Sequence, residues 1–451
     1  MYSTDFQVDY FLLVFSFFKY IGVFPGKVTP PLNGKTKDAE AQHLPQVSIL
    51  TKGIFAWLHR ANICLFSIFF PFQLYRFFDS IFLMKSNFET LIRQSCWNIS
   101  ATIVFVVVIW ICRSSRPICN TINSWKEVES HILEQISPES KVLYQLKRNC
   151  ELRRASVYFF LMTLLSSIGI VYHCLSHPFY PMYIYSLFVE TKYPLNLKWL
   201  ILSALTQPIV LGYHWSFSFF LEMISTQFFA SITSLLHLIS TEDPNTPFDS
   251  DYWKQNPCIQ DCRDKLNKNL PFLIQVQPVL AGKMLTRGSL QTKYEASVKQ
   301  YQRLQSLVTQ FNDTFKHTLF WHHTLMIIML CLLFYAPMKE LLNESIFSNV
   351  GFSLNAIFLL YRLYRVEVEA GKIHSASCSY INYWKGSMSS MLSRFEVHDP
   401  KELMGALVLR EKLNQCHKFG ILVGNFYVVK SGTVLTLGSI VTTYLIVLLQ
   451  F

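Results

Sequence analysis

Charge is what this 451-residue chain has least of. Only 15% of its residues are Asp, Glu, Lys or Arg, against about 25% in a soluble domain. That shortfall excludes an ordinary soluble fold. Paired cysteines are missing too: the 11 cysteines are scattered singly, which excludes a disulfide scaffold. Cys258 and Cys262 lie four apart without a second pair, a weak zinc pattern. There is no phosphate-cradling glycine loop, metalloprotease helix motif or nucleophile elbow, so neither an enzyme nor a cofactor is expected. No cleavable leader is expected either. The apolar run Val8–Val23 is preceded by Asp5 and broken by Asp9 and Lys19, and no small-residue cleavage site follows.

Apolar residues fill the space that charge leaves. They make up 51% of the chain, with 15% aromatic, and their runs recur along the whole length. That pattern is an integral membrane protein. Seven spans of about 20 residues are predicted, at 61–83, 95–113, 155–175, 198–218, 317–336, 346–364 and 432–451. The net charge of +11 then calls for basic loops that set topology and meet membrane lipid, not for nucleic acid.

Span four does not stop cleanly. Apolar residues continue through Phe219, Phe220, Leu221, Phe228, Phe229 and Leu236, so a single helix of about 60 Å is predicted. Span five mirrors it, with Tyr294, Val298, Tyr301, Leu304, Val308, Phe311 and Phe315 at helical spacing. Between them the prolines and charges from Glu242 onward read as a loop. Stretches 113–154, 241–316 and 362–430 hold 8, 10 and 10 Lys plus Arg. The opposite loops hold Lys85, Arg93, Lys192, Lys198 and Lys339. The positive-inside rule therefore places the amino terminus inside. The expected fold is an all-α, seven-transmembrane protein of inverted topology, carboxyl terminus outside, with a cytoplasmic helical anchor bundle. Its segments are a cytoplasmic 1–60 with a short leading helix; spans one to four with the extension of the fourth, 61–239; and a cytoplasmic loop, 240–290. Then come a cytoplasmic helix running into spans five and six, 291–364; anchor helices, 365–431; and a last span, 432–451, with no tail beyond Phe451. Cys96 and Cys174 both fall near the outer face, where a bridge is open to them. Asn343-Glu344-Ser345 is an outer glycosylation pattern.

The ending Thr443-Tyr444-Leu445-Ile446-Val447-Leu448-Leu449-Gln450-Phe451 resembles the signature ending of insect gustatory receptors: Thr-Tyr, five hydrophobic residues, Gln-Phe. The approach Gly424-Asn425-Phe426-Tyr427-Val428 and the early stretch Phe17–Pro25 are also similar to that family. Leu445 stands where the sugar-receptor branch carries an acidic residue, which weakens a sugar assignment. The resemblance implies a tetrameric ligand-gated cation channel opened by a small-molecule tastant. Its partners would be copies of itself or related subunits, membrane lipid and permeant cations. It would sit in the plasma membrane of chemosensory dendrites, with Val447, Gln450 and Phe451 at the outer constriction. Helical spacing independently puts Thr443, Val447, Gln450 and Phe451 on one face, where apolar rings repeated around an axis can dewet and block ions. An interfacial cap is the alternative for Gln450.

For the ligand, the outer halves of spans three to six offer Tyr172, His173, Gln207, Tyr335, Asn349 and Ser353. A small-molecule pocket needs aromatic walls with a few polar groups; interhelical hydrogen bonding is the competing reading. His322 and His323 point about 100° apart on their helix and are read as packing. The rival functions are a G-protein-coupled receptor, which the Lys/Arg distribution opposes, and an odorant-type subunit of the same superfamily. A transporter would show related halves, and none is evident.

Overall fold

The structure is a computed structural model that describes residues 10–29, 46–82, 88–136, 138–176, 196–241, 287–340, 346–394 and 400–450. Phe451, Cys258, Cys262, the Asn343-Glu344-Ser345 pattern and 242–286 lie outside them. In chain order the elements are α1 (Tyr10–Tyr20), β1 (Gly26–Thr29), β2 (Gln46–Ile49), α2 (Ile54–Phe82), α3 (Phe88–Glu134), α4 (Pro138–Ser176) and α5 (Leu197–Thr241). They continue with α6 (Arg287–Glu340), α7 (Ile346–Arg394), α8 (Pro400–Gln415), β3 (Leu422–Val423), β4 (Tyr427–Val428) and α9 (Thr433–Leu449).

The seven apolar runs fall one each in α2, α3, α4, α5, α6, α7 and α9, and the chain is a helical membrane protein. Strand content was not anticipated: β1 pairs with β2 and β3 with β4, both antiparallel. Several helices outrun the bilayer. α3 has 47 residues and α6 has 54, about 70 and 80 Å at 1.5 Å per residue, against a hydrocarbon core of about 30 Å. The surplus of α3, α4, α5, α6 and α7 gathers at one end and forms a basal bundle.

The two sections obey opposite rules. In the membrane section apolar side chains point outward: Ile54, Leu65, Ile68, Phe78 and Phe82 on α2, and Val157, Phe160, Leu161, Leu164 and Ile168 on α4, are exposed. Lipid accepts them, so no burial is needed. In the basal bundle apolar side chains point inward and build one large core from α3, α5, α6, α7 and α8. Window hydropathy alone picks Trp215–Ser240 as a crossing segment, yet 89% of that window is buried inside the protein. We therefore read it as core, and place the lipid-facing part of α5 at its exposed start, where Leu197, Ile201, Leu202 and Leu205 lie.

Aromatic stacking organises the basal core. The Phe228 ring stacks on Phe311 at 4.2 Å, Phe311 on Phe315 at 4.1 Å, and Trp110 meets Phe315 at 4.8 Å. Two of its polar ring groups meet on one hydroxyl: Trp125 Nε1 donates to Ser231 Oγ at 2.9 Å, and the Tyr144 hydroxyl lies 2.6 Å from the same oxygen. The amino-terminal segment is part of this core. Phe15, Phe18 and Phe24 all pack on Phe220, and Asn123 exchanges two hydrogen bonds with the Val47 backbone, at 2.8 and 3.0 Å, to hold β2 on α3.

His59 and Asn62 at the start of α2 fasten the turn after α1. His59 Nδ1 lies 3.0 Å from the Gly22 carbonyl oxygen, and Asn62 Nδ2 donates to the same oxygen at 3.2 Å. These bonds fix the segment before β1 to the membrane helix that follows it. His59→Ala with Asn62→Ala should therefore speed limited proteolysis of the 10–29 segment several-fold, whereas the single exposed change Lys27→Ala should not.

Candidate functional site

α9 is the least packed long helix. Its composition is apolar, yet of its 17 residues only Leu437 is buried. One stripe, with Val441, Leu448 and Leu449, rests on neighbouring clusters, and it packs chiefly on α6 and α7. The opposite stripe is open. Thr443 is exposed, and its hydroxyl donates only to the Ser439 carbonyl one turn back, at 2.9 Å. Val447 is 44% exposed, and Gln450 is exposed at the helix end. Three of the four residues expected at a pore thus share one uncovered face; Phe451 lies outside the described residues.

The lead into α9 is held tightly. Asn312 on α6, buried, donates to the Gly420 carbonyl at 3.0 Å and accepts from Leu422 N–H at 3.0 Å. Gly424, with φ +62°, makes the β3–β4 turn and donates to the Lys316 carbonyl at 2.8 Å. Gly371 lets α7 approach the Lys430–Ser431 backbone, where an added Cβ would sit at 3.0 Å. The lead is therefore anchored to both α6 and α7, and α9 inherits any movement between them.

The six expected ligand residues do not converge among the described side chains. Tyr335 is buried against Ile92, Leu448 and Leu449, behind α9. Tyr172 is exposed and Ser353 is half-buried. The side chains of His173, Gln207 and Asn349 lie outside the described set. Cys96 and Cys174 are both free thiols, which corrects the open expectation of a bridge: Cys174 instead donates to Ser203 Oγ at 3.4 Å.

Sequence reasoning missed a buried charged junction. Arg362 on α7 donates from Nε to Glu222 Oε2 at 2.8 Å and from Nη2 to Ser218 Oγ at 2.6 Å, both on α5. His322 on α6 completes it, with Nε2 at 2.9 Å from Ser218 Oγ and 3.3 Å from Glu222 Oε1. His323 diverges as expected: its ring is 75° from that of His322, and its Nε2 lies 3.4 Å from Glu367 on α7. That contact is close but misaligned, since the Glu367 oxygens accept no hydrogen bond among the described residues. Packing was half the answer for these histidines; each also faces a carboxylate. The available signal was Glu222 standing alone in the apolar stretch 215–240, since an isolated ionisable group there must find a partner.

Two cavities flank the junction, and both are lined by Phe358 and Arg362. The inner one lies among α3, α5, α6 and α7, with Trp215, Met326 and Met329 as walls and Ser100 and Asn355 as polar groups. The outer one lies among α4, α5 and α7. Of the three expected ligand residues whose side chains are described, Tyr172, Tyr335 and Ser353, none lines either. Removing one partner of a buried pair strands the other's charge. Glu222→Gln should therefore cost about 3–5 kcal/mol in thermal unfolding, and Glu222→Leu combined with Arg362→Met should recover most of it.

No protein-family model and no curated sequence matches the chain. Solved structures do. The insect olfactory receptor OR5 from Machilis hrabei matches with a TM-score of 0.63 at 11% identity, over 98% of this chain and 100% of that one. The same receptor in complex with eugenol matches equally. At that identity the likeness is one of architecture: this chain has the fold of an insect olfactory receptor.

Proposed function

We propose that the chain is a subunit of a ligand-gated, non-selective cation channel that serves taste, working as a tetramer with four copies of α9 around a central pore. The observation that carries this reading is the uncovered face of α9 with Thr443, Val447 and Gln450. A helix with one buried residue in its own chain has room for partners. Lipid would cover an apolar face equally well, but Thr443 and Gln450 gain from water or from an ion. The shared fold with an olfactory receptor supports the channel class and suits an odorant-type subunit as well. The Thr443-Tyr444 and Gln450-Phe451 ending favours taste. In this reading the basal bundle and amino terminus are cytoplasmic, α9 leaves the cell outward in the plasma membrane of a chemosensory dendrite, and no enzymatic step is involved.

The olfactory receptor's complex with eugenol supports a small-molecule ligand. The inner cavity suits one: aromatic and thioether walls for burial, Ser100 and Asn355 for orientation. Of the residues named from the sequence, Ser353 stands nearest along α7, two positions before Asn355. Filling that cavity would bias α7 against α6, and the lead anchored to both would carry the shift to α9. A ligand moves this equilibrium only by its preference for the open arrangement.

Expression with a tastant panel, with current recorded while G-protein signalling is blocked, separates the two receptor classes. A current that persists is the expected result, and one that vanishes points to the G-protein-coupled rival. Gln450→Ala should change relative cation permeability, and Val447→Ala should raise current without ligand. An epitope placed after Phe451 should stain on intact cells; staining only after permeabilisation would reverse the proposed orientation.

A further inference from the structure

The outer cavity has a composition that a ligand pocket for tastants does not need. It is a crevice between α4 and α7, floored by α5, and it opens on the outside of the protein. Its walls are Tyr158, Phe159, Phe219, Phe358 and Tyr361. The Tyr158 and Tyr361 rings meet edge to face at 4.8 Å, and Tyr361 is exposed beside them. From Phe358 in the membrane section the crevice runs down to Arg365 at its basal end.

Its level relative to the bilayer follows from what lies above and below. Above it both flanking helices expose apolar bands: Phe160, Leu161 and Leu164 on α4, and Leu354, Ile357 and Leu360 on α7. Below it the exposed apolar residues give way to cations. Arg154 lies four residues before Tyr158 on α4, and Arg365 four residues after Tyr361 on α7, so each sits on the crevice side of its helix. Tyrosines at this height with arginines one turn beyond mark the boundary between acyl chains and headgroups.

The charges are arranged for an anion. Arg362 is committed to Glu222 and Ser218. Arg365 is half-buried and makes no hydrogen bond or ion pair among the described residues. Glu151 and Tyr158 feel its charge; Glu151 is shared with Lys147 and Lys372 and opposed by Glu369, which itself pairs with Lys372 at 2.6 Å. Arg154 is exposed and likewise unpaired among the described residues. Two arginines that make no hydrogen bond or ion pair with a carboxylate among the described residues, one lining the aromatic crevice and one a turn below it on α4, complement one group carrying both an acyl chain and a phosphate.

We propose that this crevice binds an anionic phospholipid, its acyl chain against Phe159, Phe219 and Phe358 and its phosphate between Arg365 and Arg154. The site abuts the Arg362–Glu222 pair, so an occupant touches the junction of α5, α6 and α7. This assignment needs only the membrane placement of the helices and stands independently of the channel reading.

The test uses the purified full chain in phosphatidylcholine nanodiscs containing a photoreactive phosphatidylserine. Label should fall on α4 around Tyr158 and on α7 around Tyr361; label confined to other helices overturns the site. Arg154→Gln with Arg365→Gln should weaken phosphatidylserine binding about 30-fold, the share of two interfacial cations, whereas Arg154→Lys with Arg365→Lys should keep most of it. Arg113→Gln with Arg116→Gln removes the same charge from exposed positions on α3 and should change little; an equal loss there means diffuse attraction and defeats the proposal. Water-soluble glycerophosphoserine should fail to compete. Competition at equal concentration would mean that a free anion suffices and the aromatic crevice is not an acyl site.

Discussion

A backbone in hydrocarbon has only itself to hydrogen-bond with, and everything in this molecule follows from meeting that demand with helices much longer than the bilayer. Helix geometry carries each chain segment straight out of the membrane without a break. Once outside, the same helix must reverse its habit: apolar groups that lipid welcomed now have to be buried. α5 displays the reversal within one element. Leu197, Ile201 and Leu205 are exposed at its start, while Phe217 to Ile239 are almost wholly enclosed. The basal bundle is the consequence, and its aromatic core is the largest buried apolar cluster among the described residues.

How much of this the sequence disclosed depended on periodicity. The seven apolar runs and the overlong α5 and α6 were legible because a period of 3.6 sustained over dozens of residues belongs to a helix and to little else. The stripe Tyr294, Val298, Tyr301, Leu304, Val308, Phe311 and Phe315 is buried in full. The short strands were not legible: four residues such as Gly26–Thr29 carry no pattern, and β2 is held by Asn123, which lies 76 residues away. The Glu222–Arg362 pair was equally hidden, since 140 residues separate its members. Composition exposes a lone charge in an apolar stretch; only tertiary structure names its partner. The three described ligand candidates, Tyr172, Tyr335 and Ser353, stand apart for a related reason. They were chosen by residue type and depth, and depth does not specify which face of a helix a side chain occupies.

The uneven packing also decides where a signal can travel. A rigid aromatic core is poorly suited to change, because shifting Phe311 would disturb Phe228, Phe315 and Trp110 together. The membrane section has small separate clusters, and low contact density is where proteins open first. α7 is one of the helices that span both regimes, and the one that touches both cavities and the lead to α9. It lines both cavities, holds Arg362 against α5, sets Glu367 beside His323 on α6, and lets the α9 lead lie against Gly371. A displacement of its membrane half must either break the Arg362–Glu222 pair or drag α5 with it, because a guanidinium bound in two places to one carboxylate tolerates little sliding. The pair therefore resists sliding of α7 along α5. In the proposed channel, a helix held in that way, with the lead to α9 fastened to its basal half, would carry a change in cavity filling to α9 rather than absorb it.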